Sequence, residues 1–432
     1  MSILKPESIR SALLKSSMIN LLARGINYLR YVVIAVYLGF TFETDAFFLA
    51  LSIMGIFLVA AAALETLGVP RLTRLRVEGD EKAFADLANA LWTFVVLLAV
   101  GGSTFIALFS DWMAAIAFGY TQDERQVVGH FLLWLLPYFA LMLVHQFLGS
   151  VLRSRRMFTV FFIAELIVAV VTLVILWSGL AWLKRGDVIL PLSFVAGYLF
   201  SVLFLFWQVR RLFSLMPTWN GKVVEQLREF VPLSLVAGTY SLMPVVDRAF
   251  GSELEHKSIT ALTYGLLLAL AANNVLRPQN FYITYLSEGR TDTAILGPLL
   301  LKVFGVGMLL ALAIVVLAPW VVNLFFSYGA FSDLDGSMLT EATQLYALSL
   351  PFILIWPAMY QTMQIRQAYV VAILLGFGGV IVNGALNYVL IRKAGLEIAG
   401  ITLGTLGAYV FLVVTGWWVL KYLERSGHSH RP

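Results

Sequence analysis

The 432-residue chain contains no cysteine, which excludes disulfides, thiolate metal sites and thiol chemistry. It is also poor in charge. Asp, Glu, Lys and Arg make up 13% of the residues, against roughly 25% in an ordinary soluble domain. No GxxxxGK[ST] phosphate loop occurs and no histidines stand at metal-ligand spacing, so neither an ATP-driven step within this chain nor a metal centre is expected. Only His428 and His430 cluster, in the tail. What fills the space is apolar: 60% of the residues are hydrophobic. That composition belongs to a polytopic, all-α membrane protein. Met1–Lys15 is polar, basic and amphipathic, and reads as part of the mature chain rather than as a signal peptide. The net charge of +5 does not point to nucleic acid, because the basic residues sit in alternate loops.

A membrane span needs about 20 mainly apolar residues. The hydropathy pattern predicts twelve: 16–39, 46–69, 87–110, 127–151, 158–181, 189–209, 228–250, 258–283, 295–324, 338–363, 369–391 and 398–420. Arg71, Arg74, Arg76 and Lys82 follow the second span, and Arg153, Arg155 and Arg156 follow the fourth. Arg210, Arg211, Lys222 and Arg228 flank the loop after the sixth. Lys5, Arg10, Lys15, Arg290, Arg366, Lys421, Arg425 and Arg431 fall on the same side. Far fewer basic residues lie opposite, where Glu43, Asp45, Asp123, Glu124, Asp333 and Asp335 make the loops acidic. The positive-inside rule then puts both termini in the cytoplasm.

The chain reads as duplicated. Asp111 to Tyr120, an acidic loop and Pro137 are matched half a chain later by Pro319 to Tyr328, an acidic loop and Pro351. Gly79-Asp80 likewise parallels Gly289 to Asp292. An even number of spans per half implies two six-helix lobes related by a pseudo-two-fold along the membrane normal, with a site between them. The expected division is 1–212 for the first lobe, 213–227 for a cytoplasmic linker, 228–421 for the second lobe and 422–432 for a tail. Pro137, Pro232, Pro244, Pro351 and Pro357 fall within or beside spans, where they kink helices.

The polar groups inside the spans carry the functional signal. On the first span Asn20, Arg24, Asn27 and Tyr31 recur at helical spacing and fall within about 60° of one another, and Arg30 lies about 80–100° to the side. An arginine at the bilayer centre costs roughly 2.5–3.5 kcal/mol on insertion scales, so it needs water or a partner, and an anion such as phosphate suits it. Snorkelling to the interface is the plainer account of Arg24. Asp247-Arg248 ends the seventh span, and Asn273, Asn274 and Arg277 lie in the eighth. Glu65 and Glu165 are isolated acids, each pairing an arginine or carrying a proton. Asn383 and Asn387, one turn apart, and Thr402 and Thr405 either bind helix to helix or join Asp247 as oxygen ligands for a small cation.

The stretch Arg24-Gly-Ile-Asn-Tyr-Leu-Arg30, followed by Leu38-Gly39 and Thr44-Asp45-Ala46-Phe47-Phe48, resembles the opening of the MurJ/MviN lipid II flippases. These belong to the multidrug/oligosaccharidyl-lipid/polysaccharide (MOP) superfamily. Gly149 to Phe158, Val246-Asp247, Ser258 to Tyr264, Tyr328-Gly-Ala-Phe331 and Asn383-Gly-Ala-Leu-Asn387 extend the resemblance over nearly the whole chain.

The resemblance implies two six-helix lobes around a central cavity. The implied activity is passage of an undecaprenyl-diphosphate-linked glycan from the cytoplasmic to the outer leaflet of a bacterial inner membrane. The diphosphate ligands would be Arg24, Arg30, Arg248 and Arg277, with Asn20, Asn27, Tyr31, Asp45 and Glu65 as polar cavity residues. Asp247, Asn383, Asn387 and Thr402 would hold a coupling Na+ or H+. No other cofactor and no nucleic acid is implied; the bilayer and cell-envelope glycan synthesis proteins are the expected partners. The chain departs from the family where a second-span arginine gives way to Ser52-Ile-Met-Gly, where Tyr264 leads into Gly265, and where Tyr328 stands in place of arginine. Family members also typically carry two further C-terminal spans. Lipid II and a capsule, O-antigen or exopolysaccharide precursor are both compatible substrates. The rivals are a cation-coupled drug exporter of the same superfamily and a non-transporting scaffold of a glycan-assembly complex.

Overall fold

The computed structural model describes residues 9–210, 221–271, 273, 293–366 and 368–425, and they form helices joined by short turns. In chain order these are α1 (Ile9–Leu38), α2 (Phe42–Glu78), α3 (Glu81–Ala114), α4 (Gln122–Trp134), α5 (Leu136–Ser154), α6 (Phe158–Leu183) and α7 (Gly186–Val209). Then follow α8 (Gly221–Gly251), α9 (Ser258–Ala269), α10 (Thr293–Phe326), α11 (Asp333–Ala347), α12 (Leu350–Ile365), α13 (Tyr369–Arg392) and α14 (Glu397–Arg425). Among the described residues nine helical segments, α4 and α5 together being one, are long and apolar enough to cross a membrane, and a tenth span appears if α11 and α12, bent by 46°, count as one. The two remaining expected spans fall on α8, which starts inside the expected linker, and on α9. The continuation of the latter, with Asn274, Arg277 and Gly289 to Asp292, lies outside the described residues.

The duplicated motifs occupy the same structural positions. After α3 and after α10 comes a short helix with acidic residues in its first turn, and then a helix with proline in its own first turn, Pro137 on α5 and Pro351 on α12. Proline is well suited to a first turn and ill suited to an interior, which explains why each span breaks there. Two long helices close each series, α6 with α7 and α13 with α14. Turn chemistry sets the boundaries. Gly79 takes a positive φ of 77° where α2 ends, and Asp80 caps α3 by accepting from the Ala83 amide at 2.8 Å. Ser332 and Asp335 form a reciprocal capping box on α11.

The chain groups into two compact units. Unit 1 comprises Met1–Leu38, Ala50–Ile116 and Gln122–Gly238; unit 2 comprises Gly39–Leu49, Ala117–Thr121 and Thr239–Pro432. In unit 1, α6 packs against α1 and α7, and α5 against α3 and α7. In unit 2, α13 packs along α14, α11 against α9, and α10 against α11 and α12. Two short segments from the first half of the sequence belong to unit 2. There Gly39, with φ 64°, abuts the Ala330 carbonyl so closely that a Cβ would collide with it, and Gly119 donates its amide to Ser252 Oγ at 3.1 Å.

Candidate functional site

Unit 1 gathers cations. On α1, Arg24 Nε donates to Asn20 Oδ1 at 3.2 Å, the pairing that i,i+4 spacing allows, and Arg24 also lies within electrostatic reach of Glu165 on α6. Arg30 turns to aromatic neighbours. Its Cζ lies 4.5 Å from the centre of the Phe194 ring and 5.0 Å from that of Tyr31, and its Nη2 is 3.4 Å from the Tyr31 hydroxyl. Tyr138 packs edge-on against both Phe194 and Tyr198, completing an aromatic wall. Arg30 Nε is buried and makes no hydrogen bond among the described residues. A permanently charged fork with an unused donor inside a span is chemically suited to an anion. Asn27 is half-buried on the same helix. Glu65 has an arginine partner: it forms an ion pair with Arg153 of α5, whose guanidinium stacks 4.3 Å over Phe161.

Unit 2 gathers hydrogen-bond donors around one carboxylate. Asp247, 4% exposed, ends the i,i+4 series Thr239–Met243–Asp247 on α8. Gly376 and Gly379 on α13 press against Thr239 and Met243, and the same buried face of α13 continues into Asn383 and Asn387. Both amide nitrogens donate to Asp247 Oδ1 at 3.0 Å. Oδ2 accepts from Thr405 Oγ1 of α14 at 2.8 Å and from the Tyr346 hydroxyl of α11 at 3.4 Å. Gly404 makes this close approach possible, because a Cβ there would overlap the Asn387 amide.

The amide oxygens of Asn383 and Asn387 are both buried without a hydrogen-bond partner, a state that costs roughly 1–3 kcal/mol per group. A half-turn of either amide exchanges its nitrogen for its oxygen. With both turned, the two amide oxygens, Asp247 and Thr405 Oγ1 form an oxygen-rich cluster of the kind hard monovalent and divalent ions prefer.

Several sequence-predicted residues have other roles. Asp45, 1% exposed, caps the start of α9: it accepts from the Lys257 amide at 2.6 Å, the Thr260 amide at 2.7 Å and Thr260 Oγ1 at 2.5 Å. Its lone pairs are engaged, so it serves as a brace rather than a polar cavity lining. Lys257, held at a left-handed φ of 93°, also extends its Nζ to Asp335 Oδ1 at 3.0 Å. Thr402 bonds the carbonyls of its own helix, Ile398 and Ala399; the hydroxyl that reaches Asp247 is that of Thr405. Arg248 Nε donates to Thr263 Oγ1 at 3.0 Å and its Nη1 to the Pro244 carbonyl at 3.3 Å, which ties it to α8 and α9. Arg277 lies outside the described residues, and Asn273 is buried. Sequence reasoning missed Tyr346, Tyr138, Tyr198 and His145. For His145 the signal was present, as an ionisable ring deep in an otherwise apolar span.

Membrane-length helices with polar and ionisable side chains held in their interior define a polytopic membrane protein. The profile of the family described as lipid II flippase MurJ matches residues 34–427, and the chain belongs to that family. A protein described as probable lipid II flippase MurJ from Buchnera aphidicola subsp. Schizaphis graminum (strain Sg) is 22% identical over 372 residues, 81% of this chain and 71% of the relative. Among solved structures, lipid II flippase MurJ in an inward closed conformation superposes with a TM-score of 0.69 at 17% identity, covering 94% of this chain and 87% of the other. An inward-facing multidrug resistance MATE family transporter of the MOP superfamily gives 0.71 at 16%, covering 95% and 96%. At these identities the structural likenesses establish the fold, shared between lipid flippases and drug exporters.

Proposed function

We propose that this protein moves a polyprenyl-diphosphate-linked saccharide, lipid II or a related cell-envelope precursor, from the cytoplasmic to the outer leaflet of a bacterial inner membrane. Both termini lie in the cytoplasm on the loop-charge argument. Arg24 and Arg30 contact the diphosphate, and the observation that carries this is the buried, unused donor of Arg30 on the first span. The remaining sequence candidate, Arg277, is assigned a secondary contact. Access alternates as two lobes rock about the bound headgroup.

A coupling Na+ or H+ binds at Asp247, where Asn383, Asn387 and Thr405 supply the other oxygens. Supporting this are the two orphaned amide oxygens beside the carboxylate. Such an ion contributes charge that crosses the membrane field, worth about 2.3 kcal/mol per elementary charge per 100 mV. Proteins of cell-envelope glycan synthesis are natural suppliers of the substrate and partners of the flippase.

The drug-export reading needs acidic side chains available to a cationic drug. Against it, Glu65 is committed to Arg153 and Glu165 faces His145. The decisive experiment reconstitutes the chain in liposomes with defined undecaprenyl-diphosphate glycans and measures leaflet transfer. Transfer that depends on Arg24 and Arg30 supports the proposal. Transfer or complementation untouched by Arg24→Ala and Arg30→Ala supports the scaffold reading, and resistance to cationic drugs without glycan transfer supports the exporter.

A further inference from the structure

His145 on α5 is fully buried, and neither ring nitrogen makes a hydrogen bond among the described residues. Its polar neighbour is Glu165 of α6, whose Oε1 stands 3.7 Å from Nε2. That is too long for a direct hydrogen bond and short enough for a small rotation, or one bridging water, to close it. The imidazole stacks on Phe161, with ring centres 5.7 Å apart and planes at 21°, and meets Tyr198 edge-on at 5.4 Å. The groups facing the pair are Arg24 from α1, Glu65 from α2, Arg153 from α5 and Tyr198 from α7. With His145 neutral, the two guanidiniums and two carboxylates of this cluster sum to zero. One added proton makes the cluster cationic.

We propose that His145 and Glu165 together bind one proton, and that this proton turns Arg24 from neutralising Glu165 to receiving an anionic ligand. The proton comes from the aqueous phase and adds to a lone pair of Glu165 Oε1 or His145 Nε2. No other bond changes, and the local charge rises by one. Glu165 is partly exposed while His145 is sealed, so the carboxyl is the entry point and the imidazole the reserve acceptor. The ligand class, a diphosphate, rests on the function proposed above. By linkage, the factor by which the proton strengthens anion binding equals the factor by which the anion strengthens proton binding. Affinity therefore rises as pH falls, by up to about tenfold per pH unit for one linked proton.

The test uses the full-length protein in detergent micelles with inorganic pyrophosphate as the probe, measured by calorimetry between about pH 8 and about pH 6. Wild-type affinity should rise severalfold across that range. Glu165→Gln, which imitates the protonated acid, should bind with the tighter affinity at both ends and lose the slope. His130→Gln, on α4 and away from the pair, should keep it. A slope retained in Glu165→Gln overturns the proposal. So does the absence of any titration in the wild type of both the carboxyl infrared band and the ¹⁵N-histidine resonances, a readout that needs no altered protein to fold. Failure of wild-type pyrophosphate binding at every pH overturns the diphosphate assignment and the switch with it. In that case the infrared band still reports separately whether the pair takes a proton.

Discussion

Unit 1 and unit 2 run through a similar helix order and hold opposite charges inside it. In unit 1 the first helix, α1, carries the half-buried guanidiniums of Arg24 and Arg30, and Arg30 keeps its Nε unbonded among Phe194, Tyr31 and the neighbouring tyrosines. In unit 2 the Asp247 carboxylate is buried and encircled by donors from three other helices. The divergence is visible at a single turn. Counted from the helix start, Glu165 on α6 and Gly376 on α13 occupy equivalent positions. The glycine lets Thr239 of α8 press against the backbone of α13 and so brings Asp247 within reach of two amides. The glutamate instead puts a charge against α1 and His145. One scaffold thus carries an arginine-bearing and a carboxylate-centred interior, and the difference lies in a few side chains where the first helix of each series meets the penultimate one.

The sharpest way to break this contrast is to remove the central carboxylate of unit 2. Asp247→Ala removes the acceptor shared by four buried neutral donors and should cost roughly 1–3 kcal/mol for each one left unsatisfied, seen as a large drop in thermal unfolding temperature in detergent. Asp247→Asn keeps an acceptor. It should fold, yet transport no longer responding to a Na+ or H+ gradient.

Next in size is Arg30→Ala, which should weaken diphosphate binding by about 10- to 100-fold, as expected from about 1.5–3 kcal/mol for a charged hydrogen bond, with little change in unfolding temperature. Arg30→Lys should recover only part, because an ammonium lacks the planar fork that stacks on Phe194. If both arginine variants lowered stability and left affinity alone, Arg30 would be a structural residue.

Asp45→Ala should cost about 1–2 kcal/mol through loss of the α9 cap without altering ligand affinity. The reverse pattern, in titration and thermal melts, would put Asp45 on the substrate path. Smallest is the threonine pair on α14: Thr405→Val should cost about 1 kcal/mol and Thr402→Val under about 0.5 kcal/mol. Exchange of that rank would move the proposed cation site by a turn.

Much of this was legible in the residues. Hydropathy placed the spans, the Pro137 and Pro351 motifs revealed the repeat, and helical spacing put Asn20 beside Arg24 and Asn383 beside Asn387. Two kinds of information were not there. Spacing fixes which residues share a face, but not which neighbour that face meets, so Thr402 and Thr405, close in angle, could not be told apart until α8 was seen to lie against Thr405. Long-range partners are equally silent: Asp45 is defined by Thr260, 215 positions away, and the acid reads as a cavity group until that amide is found. Glu65 resolved in the same way, through Arg153, 88 positions on.

The proline that opens α5 and the one that opens α12 carry a mechanical implication. Neither ring has an N–H for the carbonyl four residues earlier, so each span already lacks one rung of its ladder. Flexing at that point therefore strains one backbone bond fewer than elsewhere in the span. Each unit thus has a built-in elbow at the same level of its series, and α11 with α12 shows one of them bent.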